Sequence, residues 1–147
     1  MFVRQKVEKD YLPLYKEPYG MGTTIWSPLC SGVLTGKYNK EIPSDSRLAH
    51  KGYSEMLKKN LDYVPKVIEL EPIAKKLGTT TGNLALAWCA INPNVSTVIL
   101  GASNVNQLKE NLEALKVIPL LTPEVLAEIE LVLKTKPEQE NTFGRER

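Results

Sequence analysis

Ser96-Thr97-Val98-Ile99-Leu100-Gly101-Ala102-Ser103-Asn104 is the stretch that decides the fold. After Ser96, its first half is an unbroken β-branched and aliphatic run, which predicts a parallel strand covered on both faces over 96–100. Small residues then turn the chain, and beyond Asn104 the apolar positions Val105, Leu108, Leu112 and Leu115 recur at helical spacing. Asn104 and Gln107, three residues apart, form a capping pair. In strand–turn–helix units of this kind, ligands sit at the carboxyl end of the strand. The backbone N–H groups and dipole of the helix start favour an anion such as phosphate there. Alone, the turn reads more readily as a chain reversal with a helix cap.

Working outward, Leu84 to Ile91 is apolar all round and predicts a buried helix, capped from Thr79 to Thr81 and ended by Asn92-Pro93-Asn94. A helix over Val64 to Leu77 places Val67, Ile68, Leu70, Ile73, Ala74 and Leu77 inward, with a kink at Pro72 and a stop at Gly78. Thr122-Pro123-Glu124 opens a last helix that buries Val125, Leu126, Ile129, Val132 and Leu133. Near the start, Val3, Val7, Tyr11, Leu14 and Tyr15 predict an amphipathic helix over 2–15, weakened by Pro13 and stopped by Gly20. Thr23 to Trp26 reads as a short buried strand, and 27–53, punctuated by glycine and proline, as a long functional loop. The order of elements is that of a parallel α/β sheet with a right-handed crossover. Two parallel strands do not make a self-sufficient core, so something that completes the sheet is expected outside this chain.

Composition narrows the function classes. With 42% hydrophobic and 24% charged residues among 147, the chain reads as one soluble globular domain over 1–135 with a polar, frayed tail over 136–147. Nineteen basic against seventeen acidic residues, scattered in pairs such as Lys58-Lys59, argue against a nucleic-acid binder. The longest apolar run, eight residues, is far below the roughly 20 that cross a bilayer. The first ten residues lack a secretory pattern, so the expected address is cytoplasmic. Two cysteines and one histidine assemble no zinc site. Cys30 as a nucleophile competes with the plainer reading of a small apolar residue, and His50 with that of a solvent-facing loop residue.

Ser27-Pro28-Leu29-Cys30-Ser31-Gly32-Val33-Leu34-Thr35-Gly36-Lys37-Tyr38, followed by Arg47, has a composition suited to cradling a phosphate chain. By themselves Lys37 and Arg47 are more readily solvated charges. Trp26 through Tyr38 resembles the seventh-strand motif and cofactor loop of the aldo-keto reductase superfamily. Ile42-Pro43 with Ser46-Arg47 resembles its voltage-gated potassium channel β subunit branch. Leu84-Ala85-Leu86-Ala87-Trp88-Cys89 is similar to the family's penultimate barrel helix. Val98 to Asn104, with Gln107-Leu108 and Glu110-Asn111, is similar to its eighth strand and the helix that grips the adenosine phosphate.

The resemblance implies an α/β fold: the C-terminal part of a TIM (β/α)8 barrel, about strands 7 and 8 with surrounding helices, incomplete as a barrel. It implies that Trp26 and Ser27, Pro28, Leu29, Cys30 and Ser31 line the nicotinamide and pyrophosphate path of NADP, with Lys37 and Arg47 on phosphate. Gly101, Ala102, Ser103 and Gln107 would hold phosphate, and Glu110 and Asn111 would face the adenine. Trp26 and Trp88 are expected in the core. The family's catalytic aspartate, tyrosine, lysine and histidine come from its first four strands or the loops after them, so no catalytic residue is expected here. Met1-Phe2 coincides with an internal point of the family's chain, which suggests a fragment, splice product or truncated gene product. The expectation is an NADP-binding portion of an NADP-dependent oxidoreductase whose parent reduces aldehydes or ketones, inactive alone. The other reading is a non-enzymatic interaction module, pairing with a missing barrel half, its own copy or a potassium channel α subunit. A decayed remnant without a stable fold is the third.

Overall fold

In the computed structural model, residues 1–52 and 58–138 are described. The all-apolar helix predicted around Leu84 is the centre of the molecule. It is α2, Thr81–Ala90, in which Leu84, Ala85 and Ala87 are fully enclosed. Thr80 Oγ1 accepts the Asn83 N–H at 3.1 Å and satisfies one of the donors that a helix start leaves unpaired. Because its surface is apolar on every side, α2 can be surrounded, and helices, a strand and 3-10 turns pack against it.

On one flank lies α1, Val64–Lys76, whose Val67, Leu70, Ile73 and Ala74 form the buried stripe. Ile68, expected inward, is 45% exposed, because one residue of helical rotation carries it off the stripe that Val67 begins. The helix continues through Pro72 and closes at Gly78, whose φ of +68° suits a residue without Cβ; the N–H of Thr79 returns to the Ala74 carbonyl at 3.0 Å. The last helix, α5 (Pro123–Leu133), packs on α1 through Val125, Ile129 and Leu133, as its spacing predicts. Before α5 in the chain come α3, Val105–Leu112, and the single turn α4, Ala114–Val117.

The sheet is smaller and barer than expected. Strand β1, Thr23–Ile25, pairs in parallel with β2, Val95–Val98, in the register Thr23↔Val95, Thr24↔Thr97 and Ile25↔Val98, with an irregularity after Thr23. Neither strand is covered on both faces: Thr24, Ser96 and Thr97 are exposed, and beyond the strand ends Trp26 is 80% and Ile99 51% exposed. Among the described residues the sheet has only these two strands, so neither has a neighbouring strand on both sides as a central parallel strand would. Trp26 is therefore no core residue.

Two further expectations are corrected. The predicted amphipathic helix over 2–15 is a π turn, Lys6–Asp10, followed by a 3-10 turn, Leu12–Tyr15. Pro13 cannot continue an α-helical ladder, and Val3 faces solvent while Met1 and Phe2 enter the core, Phe2 stacking on Tyr63 at 4.2 Å. The long loop after Trp26 is also partly structural. Its 3-10 turn Cys30–Thr35 drives Val33 and Leu34 into full burial beneath α2, and Tyr38 and Leu48 follow. Tyr53, the end of the expected loop, and residues 139–147 of the expected tail lie outside the described residues.

Candidate functional site

Parallel pairing has a geometric consequence. Ile25 and Val98 are partners, and the Ile99 N–H donates to the Ile25 carbonyl at 2.8 Å, so both strands end at the same edge. The segment from Trp26 and the turn from Gly101 therefore leave one carboxyl edge of the sheet, with Trp26 beside Ile99.

The first segment is conformationally costly. Ser27, Cys30 and Ser31 adopt φ of +53°, +50° and +57°, and Gly32 follows at +90°. A left-handed non-glycine residue costs on the order of 1–2 kcal/mol, and such costs gather where a backbone is shaped for a ligand. Burial of Val33 and Leu34 one turn later offsets the strain. Internal bonds, Cys30 N–H to Ser27 O at 2.9 Å and Gly32 N–H to Leu29 O at 3.0 Å, hold the turn closed. Pro28, Leu29, Cys30 and Ser31 are half-buried and Ser27 is exposed.

Gly32 lets Lys37 fold back over this turn: a Cβ there would stand 2.8 Å from Lys37 Cε. The Lys37 ammonium lies 5.0 Å over the Tyr38 ring, a cation–π contact. Arg47 is exposed at the head of the 3-10 turn Arg47–Ala49, and His50 is exposed just after it, as the plain reading expected. Burial pushes the Cys30 thiol above its ordinary range, with the N-terminal amine pulling weakly the other way. That favours the inert thiol over the thiolate a nucleophile requires.

The second segment is open to solvent from Gly101 through Glu110, with Asn111 half-buried. Asn104 Oδ1 accepts the Gln107 N–H at 2.9 Å, the cap that the sequence predicts. Gln107 Oε1 accepts the Ser103 N–H at 2.8 Å, one residue earlier than in a standard capping box. Asn111, one turn further, donates from Nδ2 to the Gly101 carbonyl at 3.3 Å. Two amides on one face of α3 thus reach back to its entry turn. Glu110 is exposed along the same helix. A shallow hollow of about 270 Å³ at the α1–α2 turn, lined by Glu71, Lys75 and Thr79 to Thr81, involves none of these residues.

The most elaborate polar cluster escaped sequence reasoning. Arg4 donates to Glu8 from Nε at 2.8 Å and from Nη2 at 2.6 Å, bonds Glu130 of α5 as well, and lies 4.9 Å over the ring of Trp88 in α2. Burial works against its charge, but the hydrogen bonds to Glu8 and Glu130 outweigh it and raise its pKa. Glu130 is likewise opposed by burial, yet Arg4 and the N–H groups of Lys136 and Thr135 hold its carboxyl below the ordinary range. The only sequence signal was the four-residue spacing of Arg4 and Glu8. Among the described residues no three metal-ligating side chains gather, and no helix is long and apolar enough to cross a membrane.

The sequence pattern of the Aldo/keto reductase family matches residues 1–134. A protein of Arabidopsis thaliana named "Probable voltage-gated potassium channel subunit beta" is 54% identical over 146 residues, which cover 97% of this chain and 44% of that protein. A protein of the same name from Oryza sativa subsp. japonica is 53% identical over 146 residues, with the same shares. The chain thus spans less than half the length of these relatives. Matched over all but its last residues, it belongs to the aldo/keto reductase family.

Proposed function

We propose that this chain supplies the NADP-binding portion of an aldo-keto reductase-type oxidoreductase whose whole reduces aldehydes or ketones with NADPH. The observation that carries the reading is the shared carboxyl edge, where a strained small-residue turn and a helix entry lie side by side. In the family frame, β1 and β2 are strands 7 and 8 of the barrel, and residues 1–135 form the domain portion.

The edge suits a dinucleotide. A Cβ at Gly101 would meet nothing within 4 Å, so a ligand can lie against that backbone. Trp26, exposed at the end of β1, offers a flat face to a nicotinamide. The Ser27 to Ser31 backbone would run along the pyrophosphate, and Lys37 and Arg47 would meet phosphate charge. Gly101, Ala102, Ser103 and Gln107 would hold the adenosine phosphate. Gln107 Oε1 occupies the Ser103 N–H, so that amide must turn for the N–H to bind phosphate. Glu110 and Asn111 can hydrogen-bond a base edge. NADPH supplies hydride; none of the residues named here moves a proton, and turnover by the chain alone is negligible in this reading, with a cytoplasmic address.

A second reading is favoured by the names of the relatives: a non-enzymatic regulatory portion that associates with a potassium channel α subunit. Calorimetric titration with NADPH and NADH tests the first. Arg47→Ala is expected to weaken NADPH about tenfold or more and NADH less, because a charge-assisted phosphate contact contributes about 1.5–3 kcal/mol. Equal losses for both cofactors sink the assignment of Arg47.

A further inference from the structure

Lys37 is exposed, and an exposed lysine on its flexible four-carbon stem ordinarily samples many rotamers. Here both its ends are tied to Gly32. At the backbone, Thr35 Oγ1 donates to the Gly32 carbonyl at 2.7 Å and accepts the Lys37 N–H at 3.4 Å. At the tip, a Cβ on Gly32 would stand 2.8 Å from Lys37 Cε, 3.1 Å from its Nζ and 3.6 Å from Cε2 of the Tyr38 ring. The ammonium, the bare backbone of Gly32 and the Tyr38 ring thus meet at one point, with Nζ 5.0 Å from the ring centroid. Tyr38 is only 4% exposed and belongs to the same core as Val33 and Leu34, so its ring is a fixed surface. Its hydroxyl is buried without a hydrogen-bond partner among the described residues, so what Tyr38 contributes at this point is its π face.

We infer that Tyr38 is a positioning residue for the nucleotide site: its buried ring, with the space that Gly32 leaves open, holds the Lys37 ammonium beside the turn where a pyrophosphate would lie. The ligand is taken from the nucleotide reading, on which the inference rests; the held ammonium stands on geometry alone. Gly32 directly follows Ser31, so the charge sits at the end of the left-handed segment Ser27 to Ser31. A lysine already fixed there loses less conformational freedom when an anion arrives, which is how a residue that touches no ligand raises affinity. Pyrophosphate is common to NADPH and NADH, so Tyr38 acts on both cofactors alike, unlike Arg47.

The test reads the 147-residue chain first by NMR without cofactor and then by calorimetry with NADPH and with NADH. The Lys37 Cε protons are expected to show an upfield ring-current shift in the parent. Tyr38→Phe keeps that shift, while Tyr38→Leu and Gly32→Ala lose it, the latter because its Cβ pushes the ammonium off an intact ring. Tyr38→Leu should weaken both cofactors about two- to fivefold, the range of an exposed cation–π contact, and Tyr38→Phe should restore the parent affinity. In a Lys37→Met background Tyr38→Leu should weaken binding no further, whereas a merely structural role would cost the same with or without the lysine. Should Tyr38→Leu fail to fold by circular dichroism, Gly32→Ala reads the same contact with the ring in place. Absence of the shift in the parent, a shift that survives Gly32→Ala, or an equal effect of Tyr38→Leu in both backgrounds would each overturn the inference. A shifted Lys37 in a parent that binds neither cofactor would support the held ammonium and count against the nucleotide reading alone.

Discussion

Arg4 carries more of the tertiary structure than any residue the sequence singled out. Its guanidinium joins the N-terminal segment to α5 through Glu130 and to α2 through the ring of Trp88. The pH dependence follows from Glu130. Its carboxyl titrates lower in the folded chain than its ordinary value of 4.5, so the stabilisation it gives is fully present above that pH and is lost as pH falls through the folded value. Urea midpoints of the parent and Glu130→Gln should therefore differ at pH 7 and draw together as pH falls from 4.5 through the lower folded value, and a constant difference would remove Glu130 from the account. Cys30, its thiol pushed up by burial, should react with iodoacetamide at pH 7 more slowly than free cysteine. The φ values of Ser27, Cys30 and Ser31 had no signature in residue type, because only glycine advertises a left-handed backbone.

At the scale of elements, helices were legible and strands only half so. The buried stripe of α1 and the caps at Thr80, Asn104 and Thr122 follow from three- and four-residue spacing and from hydroxyl or amide side chains at helix starts. Existence of β1 and β2 was legible from β-branched runs, and their parallel direction from the order of elements. Their burial was not, since apolar character reports what a strand expects to meet and not what this chain provides. The N-terminal turns were misread because Val3, Val7 and Tyr11 mimic a helical stripe, while the buried anchors are Met1 and Phe2. Truncation of the α1–α5 interface measures the packing: Ile129→Ala, at a fully buried position, should cost about 2–5 kcal/mol in urea denaturation. Thr80→Ala should cost about 1 kcal/mol through loss of the α2 cap. An effect of Ile129→Ala no larger than that of Thr80→Ala would mean the interface is looser than its burial implies.

For the molecule as a whole, one helical layer is well enclosed around α2, while the sheet and α3 are not, and the candidate cofactor edge belongs to the open part. That division explains why most residues named from resemblance lie exposed while Val33 and Leu34 beside them are buried. It also makes nucleotide binding by the isolated chain a demanding test, because Trp26 and the Gly101 turn must hold a ligand from one side of a two-stranded edge. The most direct measurement is a fluorescence titration of the chain with NADPH, using Trp26→Phe to separate Trp26 from Trp88. The account predicts saturable quenching in the parent that is missing from Trp26→Phe. Absence of quenching in a folded sample, or equal quenching in the variant, would contradict it.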